Sequence, residues 1–229
     1  MKPLRSLLMA FCATACSGQT PFTPNYTPAA VFSTPTAITN PYLPLSSLTQ
    51  DILEGTEGGK PFRVVRSHTT GTRMFTFNGV QVSTVIVIDS AFLNDTLIEV
   101  AIDYFAQSDH GDVYYFGEDV DNYQNGQVAN HDGSWLFGVQ TTTVGLFIPA
   151  APKVGDRFRS EDVPGITRED DEVVAVNETV VTAAGTYQNC VRVKEILSDG
   201  AVEYKLYAPG IGIVKEITED GESGLKSHS

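Results

Sequence analysis

The sequence predicts an all-β chain: a single antiparallel sheet, curled or closed into a barrel, of about ten strands. Three observations lead there. Apolar and polar residues alternate over much of the second half of the chain, as they do in half-buried strands. Turn dipeptides, Asn94-Asp95, Asn125-Gly126 and Asp199-Gly200, separate the alternating runs. No stretch of helix length repeats its apolar residues at a spacing of three and four. Curling or closure is expected because a row of sequential strands otherwise leaves long exposed edges.

The N-terminus reads as an export signal over residues 1–15. Lys2 and Arg5 supply the positive charge, and Leu7–Ala13 is apolar but far too short to span a bilayer. Ala13-Thr14-Ala15 is a small-residue cleavage pattern, and Cys16 follows directly. Small residues before a cysteine resemble the bacterial lipobox, in which that cysteine is acylated and becomes the first residue; the usual Leu is Ala13 here. The resemblance implies a lipid such as palmitate on Cys16 and a place in the cell envelope. With Ser17 next to the cysteine, it implies the outer membrane if the host is Gram-negative. Cleavage without lipid is the alternative, and it would leave Cys16 free to bridge Cys190.

Residues 16–44 are expected to form a tether. From residue 17 onward they hold six of the twelve prolines and no charged residue. About twenty-five such residues in a polyproline-like state reach roughly 75 Å, enough to hold a head well away from a membrane. The head is expected over 45–220, as one domain, with a flexible tail over 221–229. Loss of residues 1–15 removes two positive charges, so the −13 of the whole chain becomes −15. That balance argues against nucleic acid as a partner.

Within the head, Met74–Asn78 alternates, Val82–Ile88 is almost wholly apolar, and Leu97–Ala106 sets Ile98, Val100, Ile102 and Tyr104 opposite Glu99 and Asp103. Four strands are expected at the end of the chain, over 172–182, 186–197, 201–208 and 211–218. If Asp199-Gly200 makes a two-residue turn, Val193 faces Leu206 and Lys194 faces Lys205. Val191, Val193, Val202 and Leu206 then lie inside, with Glu195 as the one charge on that face.

The stretches TAAGTYQNCVRVKE and YAPGIGIVKEI resemble the C-terminal hairpins of uncharacterised bacterial secreted and lipoprotein β-domains. Those carry a Pro-Ala-Gly-Thr-Phe turn, a Cys three residues on, and a late Ala-Pro-Gly-x-Gly-x-Val strand. This chain departs at Ala183 and Tyr187. The likeness covers about fifty residues, and it implies a β-rich envelope protein of lipocalin-like or lipoprotein-carrier-like shape. It carries no site residues with it.

The chain has no G-x-S-x-G elbow, no H-E-x-x-H, no phosphate loop and no C-x-x-C. No catalytic residue is assigned. His110 beside Asp112 and His131 beside Asp132 offer a base near a carboxylate, but both fall in turns, where exposed histidines are common. Residues 121–132 match an EF-hand loop only in part, since Tyr123 stands at its third position and Asp132 at its last. The metal candidate is a looser Ca²⁺ site from Glu118, Asp119 and Asp121, because hard cations need only clustered oxygens. Cys190 reads as a packed side chain. Trp135, Tyr104, Phe105, Tyr114, Tyr115 and Phe116 read as core, or as the lining of a cup for a small apolar molecule.

Three roles follow. The first is a lipid-anchored, non-enzymatic envelope domain that binds a small or apolar ligand. The second is an acidic structural or interaction protein that binds Ca²⁺ or a basic partner. The third is an envelope hydrolase that works through dispersed carboxylates. A defined cavity favours the first, and carboxylates converging in a cleft favour the third.

Overall fold

A computed structural model describes residues 22–229. The class is as expected: fourteen strands rather than ten, all antiparallel, with one short 3₁₀ turn at Leu45–Ser47. The first meander comprises β1 (Gln50–Glu57), β2 (Lys60–Phe77), β3 (Val80–Leu93), β4 (Thr96–Gln107), β5 (Val113–Gln124) and β6 (Gln127–Asn130). Two short strands, β7 (Trp135–Leu136) and β8 (Gly145–Ile148), return along β5. The second meander comprises β9 (Arg157–Val163), β10 (Thr167–Thr182), β11 (Gly185–Leu197), β12 (Val202–Ala208), β13 (Gly212–Ile217) and β14 (Gly221–His228). Pairing of β1 with β14 joins the two meanders into one sheet running from β6 to β9.

No ladder closes that sheet into a barrel, but its ends meet closely. A Cβ on Gly145 of β8 would stand 1.7 Å from the Ser160 carbonyl oxygen of β9, so only glycine fits the seam. The hairpins follow turn chemistry. Gly58-Gly59, Asn78-Gly79, Asn94-Asp95 and Asn125-Gly126 each place both turn residues at positive φ, the type I′ requirement.

Three expectations are corrected. The first is the tether. From Phe22 the chain lies along the head as a strap rather than standing free. Phe22, Pro24, Tyr26, Pro28, Ala30 and Phe32 turn inward, while the residues between them face solvent. The Asn25 and Tyr26 amides both donate to the Arg157 carbonyl at 3.0 Å, and the Arg157 amide donates to Asn25 Oδ1 at 2.8 Å. The Tyr26 hydroxyl donates to Asp112. The Phe32 ring meets Phe77, Tyr114 and Phe116 edge-on at 5.5–5.6 Å. Further along, Ile38, Leu43, Leu45 and Leu48 are buried, and the Asn40 side-chain amide donates to the Gly111 and Pro149 carbonyls. The strap makes no ladder because its prolines lack the donors for one.

The second correction is the tail. Residues 221–228 form β14, an interior strand, and the Ser229 carbonyl accepts from the Thr49 and Gln50 amides.

The third is the register of β11 and β12. Their turn has three residues, closed by a Leu197–Ala201 bond, with Gly200 at φ 89°. Val193 therefore faces Lys205 and Lys194 faces Tyr204. The one-residue slip reverses the faces of β12, so Lys205 is buried and Val202 is only half-buried. Val191, Val193 and Leu206 are buried as expected.

Candidate functional site

Many charged side chains of the sheet are buried. On β4 the apolar Ile98, Val100 and Ile102 are half-exposed, while Glu99 and Asp103 are buried. The densest group comes from three adjacent strands. Pairing sets Glu169 of β10 opposite Glu161 of β9, and Asp171 of β10 opposite Glu195 of β11. All four are buried, Asp171 at 1% and Glu195 at 3% exposure.

Each carboxylate is held by the protein itself. Lys205 Nζ donates to Glu195 at 2.8 Å, both side chains being almost fully buried. The Ser160 amide donates to Asp171 at 2.7 Å, and its hydroxyl donates to Glu169 at 2.8 Å. Glu161 accepts from the Trp135 indole at 3.0 Å and from the Thr167 hydroxyl. Burial, together with the charges of Glu195 and Glu169, raises the Asp171 carboxyl well above the usual carboxylate range. Burial and the Glu169 charge raise Glu161 in the same direction, against its bonds to Thr167, Glu118 and Trp135. The cluster therefore retains protons where exposed carboxylates have lost theirs.

Glu169, Asp171 and Glu195 can each offer an oxygen within 4.8 Å of the others, the one set of three such side chains among the described residues with metal-competent spacing. Lys205 and Ser160 already supply the positive charge and the donors that a cation would. The space beside the cluster is filled by Phe147, whose ring lies 5.6 Å from Lys205 Nζ, and by Tyr115 and Phe105 stacked at 4.8 Å.

The residues expected to bind Ca²⁺ do not come together. Glu118 points to the buried side of β5 and bonds toward Glu161, whereas Asp119 and Asp121 are only part-buried. Asp119 is held by Arg73 at 2.7 Å and Tyr104 at 2.6 Å, and Asp121 by His131 at 2.8 Å. The pleat separates residues that the sequence places side by side. His110 lies 2.9 Å from Asp112, but that carboxylate is fully buried and also accepts from Tyr26 and the Ala150 amide, a loop-fixing role. Cys190 is fully buried, and burial raises its thiol. Cys16 lies outside the described residues.

Trp135 and the other aromatics fill the fold instead of lining a cup. A cavity of about 20 Å³ lies inside, bordered by Arg66, Asp103, Tyr115, Phe147 and the strap residues Leu43 and Leu45. That is room for about one water molecule. A second cavity, of about 40 Å³, lies beside Glu203, Lys205 and Glu222. Small-molecule sites run to about 300 Å³ and more, so neither volume supports the apolar-ligand expectation.

No family model matches the chain, and no curated protein matches it significantly. Two solved structures are similar to it. One is provisionally described as a lipoprotein, from Parabacteroides distasonis, with 15% identity, a TM-score of 0.44, and coverage of 82% of this chain and 98% of that one. The other is provisionally described as an exported protein with a YmcC-like fold, from Bacteroides fragilis, with 16% identity, a TM-score of 0.43, and coverage of 79% and 94%. At that level of similarity neither carries an argument about the role of this chain.

Proposed function

We propose that this chain is a non-enzymatic β-domain of the cell envelope, anchored by lipid on Cys16, with a structural or interaction role. The observation that carries the reading is the Ala13-Thr14-Ala15-Cys16 stretch, placed behind a charged and apolar leader and six residues ahead of a strap that docks on the head. The small volumes of the two cavities support the structural role over ligand carriage. Converging carboxylates with raised affinity for protons meet the chemical half of the case for a hydrolase. The access half is missing, because Glu161, Asp171 and Glu195 are buried under aromatic rings and bonded to their own scaffold.

The test is expression in a Gram-negative host with and without globomycin, followed by intact-mass measurement. The reading expects an uncleaved precursor under the drug, and a mature chain beginning at Cys16 and carrying acyl mass without it. A mature chain lacking lipid, or a Cys16–Cys190 disulfide, would overturn it. Fractionation then assigns the membrane, with the outer one expected from Ser17.

A further inference from the structure

The geometry points to one end of the head as a membrane-facing surface. This is the end formed by the loops at Asp109–Asp112 and Ala150–Asp156 and by the start of the strap, and its partner is the phospholipid surface that holds the Cys16 acyl chains. The inference rests on the lipid anchor proposed above and adds an orientation to it.

Docking of the strap shortens the anchor. The Tyr26 hydroxyl is fixed to Asp112, and the Asn25 side chain bonds to the Gly155 carbonyl and the Arg157 amide. Only ten residues separate Cys16 from Tyr26, and ten residues span at most about 35 Å fully extended. Asp112 marks one end of β4, since Gln107 at the close of that strand pairs with Val113. The Asn94-Asp95 turn marks the other end, twelve residues away. A strand of that length measures about 40 Å. The anchor is therefore no longer than the head. The Asp112 end is held within about 35 Å of the bilayer, and the Asp95 turn, at the far end of β4, is assigned to the distal side.

This end carries basic and exposed apolar side chains. Phe22 lies with the Arg157 and Arg159 guanidinium carbons 5.7 and 5.8 Å from its ring centroid. Lys153 is exposed, and Val154 and Val31 are 60% and 56% exposed beside the strap contacts. Lys153 and the two valines stand there beside the acidic Asp109 and Asp156, and Arg157 pairs with Glu172 at 3.4 Å, so the anchor length rather than the charge carries the orientation.

The experiment uses the full lipidated protein in vesicles of phosphatidylethanolamine and phosphatidylglycerol that carry a nitroxide headgroup lipid. Val154→Cys and Asp95→Cys variants are labelled with a thiol-reactive fluorophore. Cys190 is fully buried, and an unsubstituted control corrects for any labelling there. Flotation reports anchoring, and quenching reports orientation. Flotation of both variants, with severalfold stronger quenching at position 154 than at 95, is the expected result. Flotation with equal quenching, or with stronger quenching at 95, overturns the orientation and leaves the anchor standing. Failure to float, with no acyl mass, overturns both.

Discussion

Replacing Asp171 with Asn should make the head less sensitive to rising pH. The Asp171 carboxyl is buried opposite Glu195 and near Glu169, and the charge of Lys205, which is bonded to Glu195, offsets only part of the rise. Its folded pKa is raised, whereas in the unfolded chain an aspartate titrates near pH 4. Below that value both states hold the proton, and the stabilisation is fully present. As pH rises from about 4 toward the raised folded value, the folded state holds the extra proton and stability falls. Each proton held in excess by the folded state costs about 1.4 kcal/mol of stability per pH unit. Because Asp171, Glu195 and Glu169 titrate together, that proton belongs to the cluster rather than to one oxygen. Asn mimics the protonated acid, and its carbonyl can still accept from the Ser160 amide. The stability difference between variant and parent should therefore move in the variant's favour by up to about 1.4 kcal/mol per pH unit within the window. Urea midpoints and slopes at several values between pH 5 and 8 measure it. Parallel stability curves, or a variant that loses ground as pH rises, would mean that the folded cluster holds no extra proton at Asp171.

Two other substitutions probe the same framework. Lys205→Ala should cost about 3–5 kcal/mol at neutral pH, because it leaves the Glu195 charge buried without its partner, and the loss should shrink in acid; urea denaturation at pH 7 and pH 5 reads both effects, and a near-neutral outcome would mean that Glu195 is already protonated. Phe32→Ala should cost about 2–4 kcal/mol, since its ring fills the space between Phe77, Tyr114 and Phe116; an unchanged thermal midpoint would mean that the strap contributes nothing to the fold there.

Strand identity was legible in the sequence wherever a turn dipeptide and alternation agreed, as at Asn94-Asp95 and Asn125-Gly126. The register at Asp199-Gly200 was not, because Asp-Gly closes two-residue and three-residue turns alike and only Gly200 takes positive φ. The strap was legible but hidden by its prolines. Phe22, Pro24, Tyr26, Pro28, Ala30 and Phe32 form a period-two apolar row, and proline suits such a row when no ladder is made. The carboxylate cluster left a fainter trace. Glu195 interrupts the apolar face of β11, whereas Glu99 and Asp103 fit the alternation of β4 and gave no such signal, because the apolar residues there are the half-exposed ones. A charge on an inward face was the signal, but its partners lie on other strands, and pairing between distant strands is not written in local pattern. The three carboxylates of the Ca²⁺ candidate are set apart for the converse reason. Glu118 and Asp119 are adjacent in sequence and so lie on opposite sides of β5.

Residues 22–48 belong to the head and pack against it. Hydrogen exchange on the native protein tests this most directly. The Asn25 and Tyr26 amides bond to the Arg157 carbonyl, the Leu43 amide to Asn40, and the Ser46 amide to Ile38. These amides should be protected well beyond unfolded-chain rates and should open together with part of the head. Exchange at unfolded-chain rates throughout 22–48, while the strands stay protected, would show a free tether and contradict it.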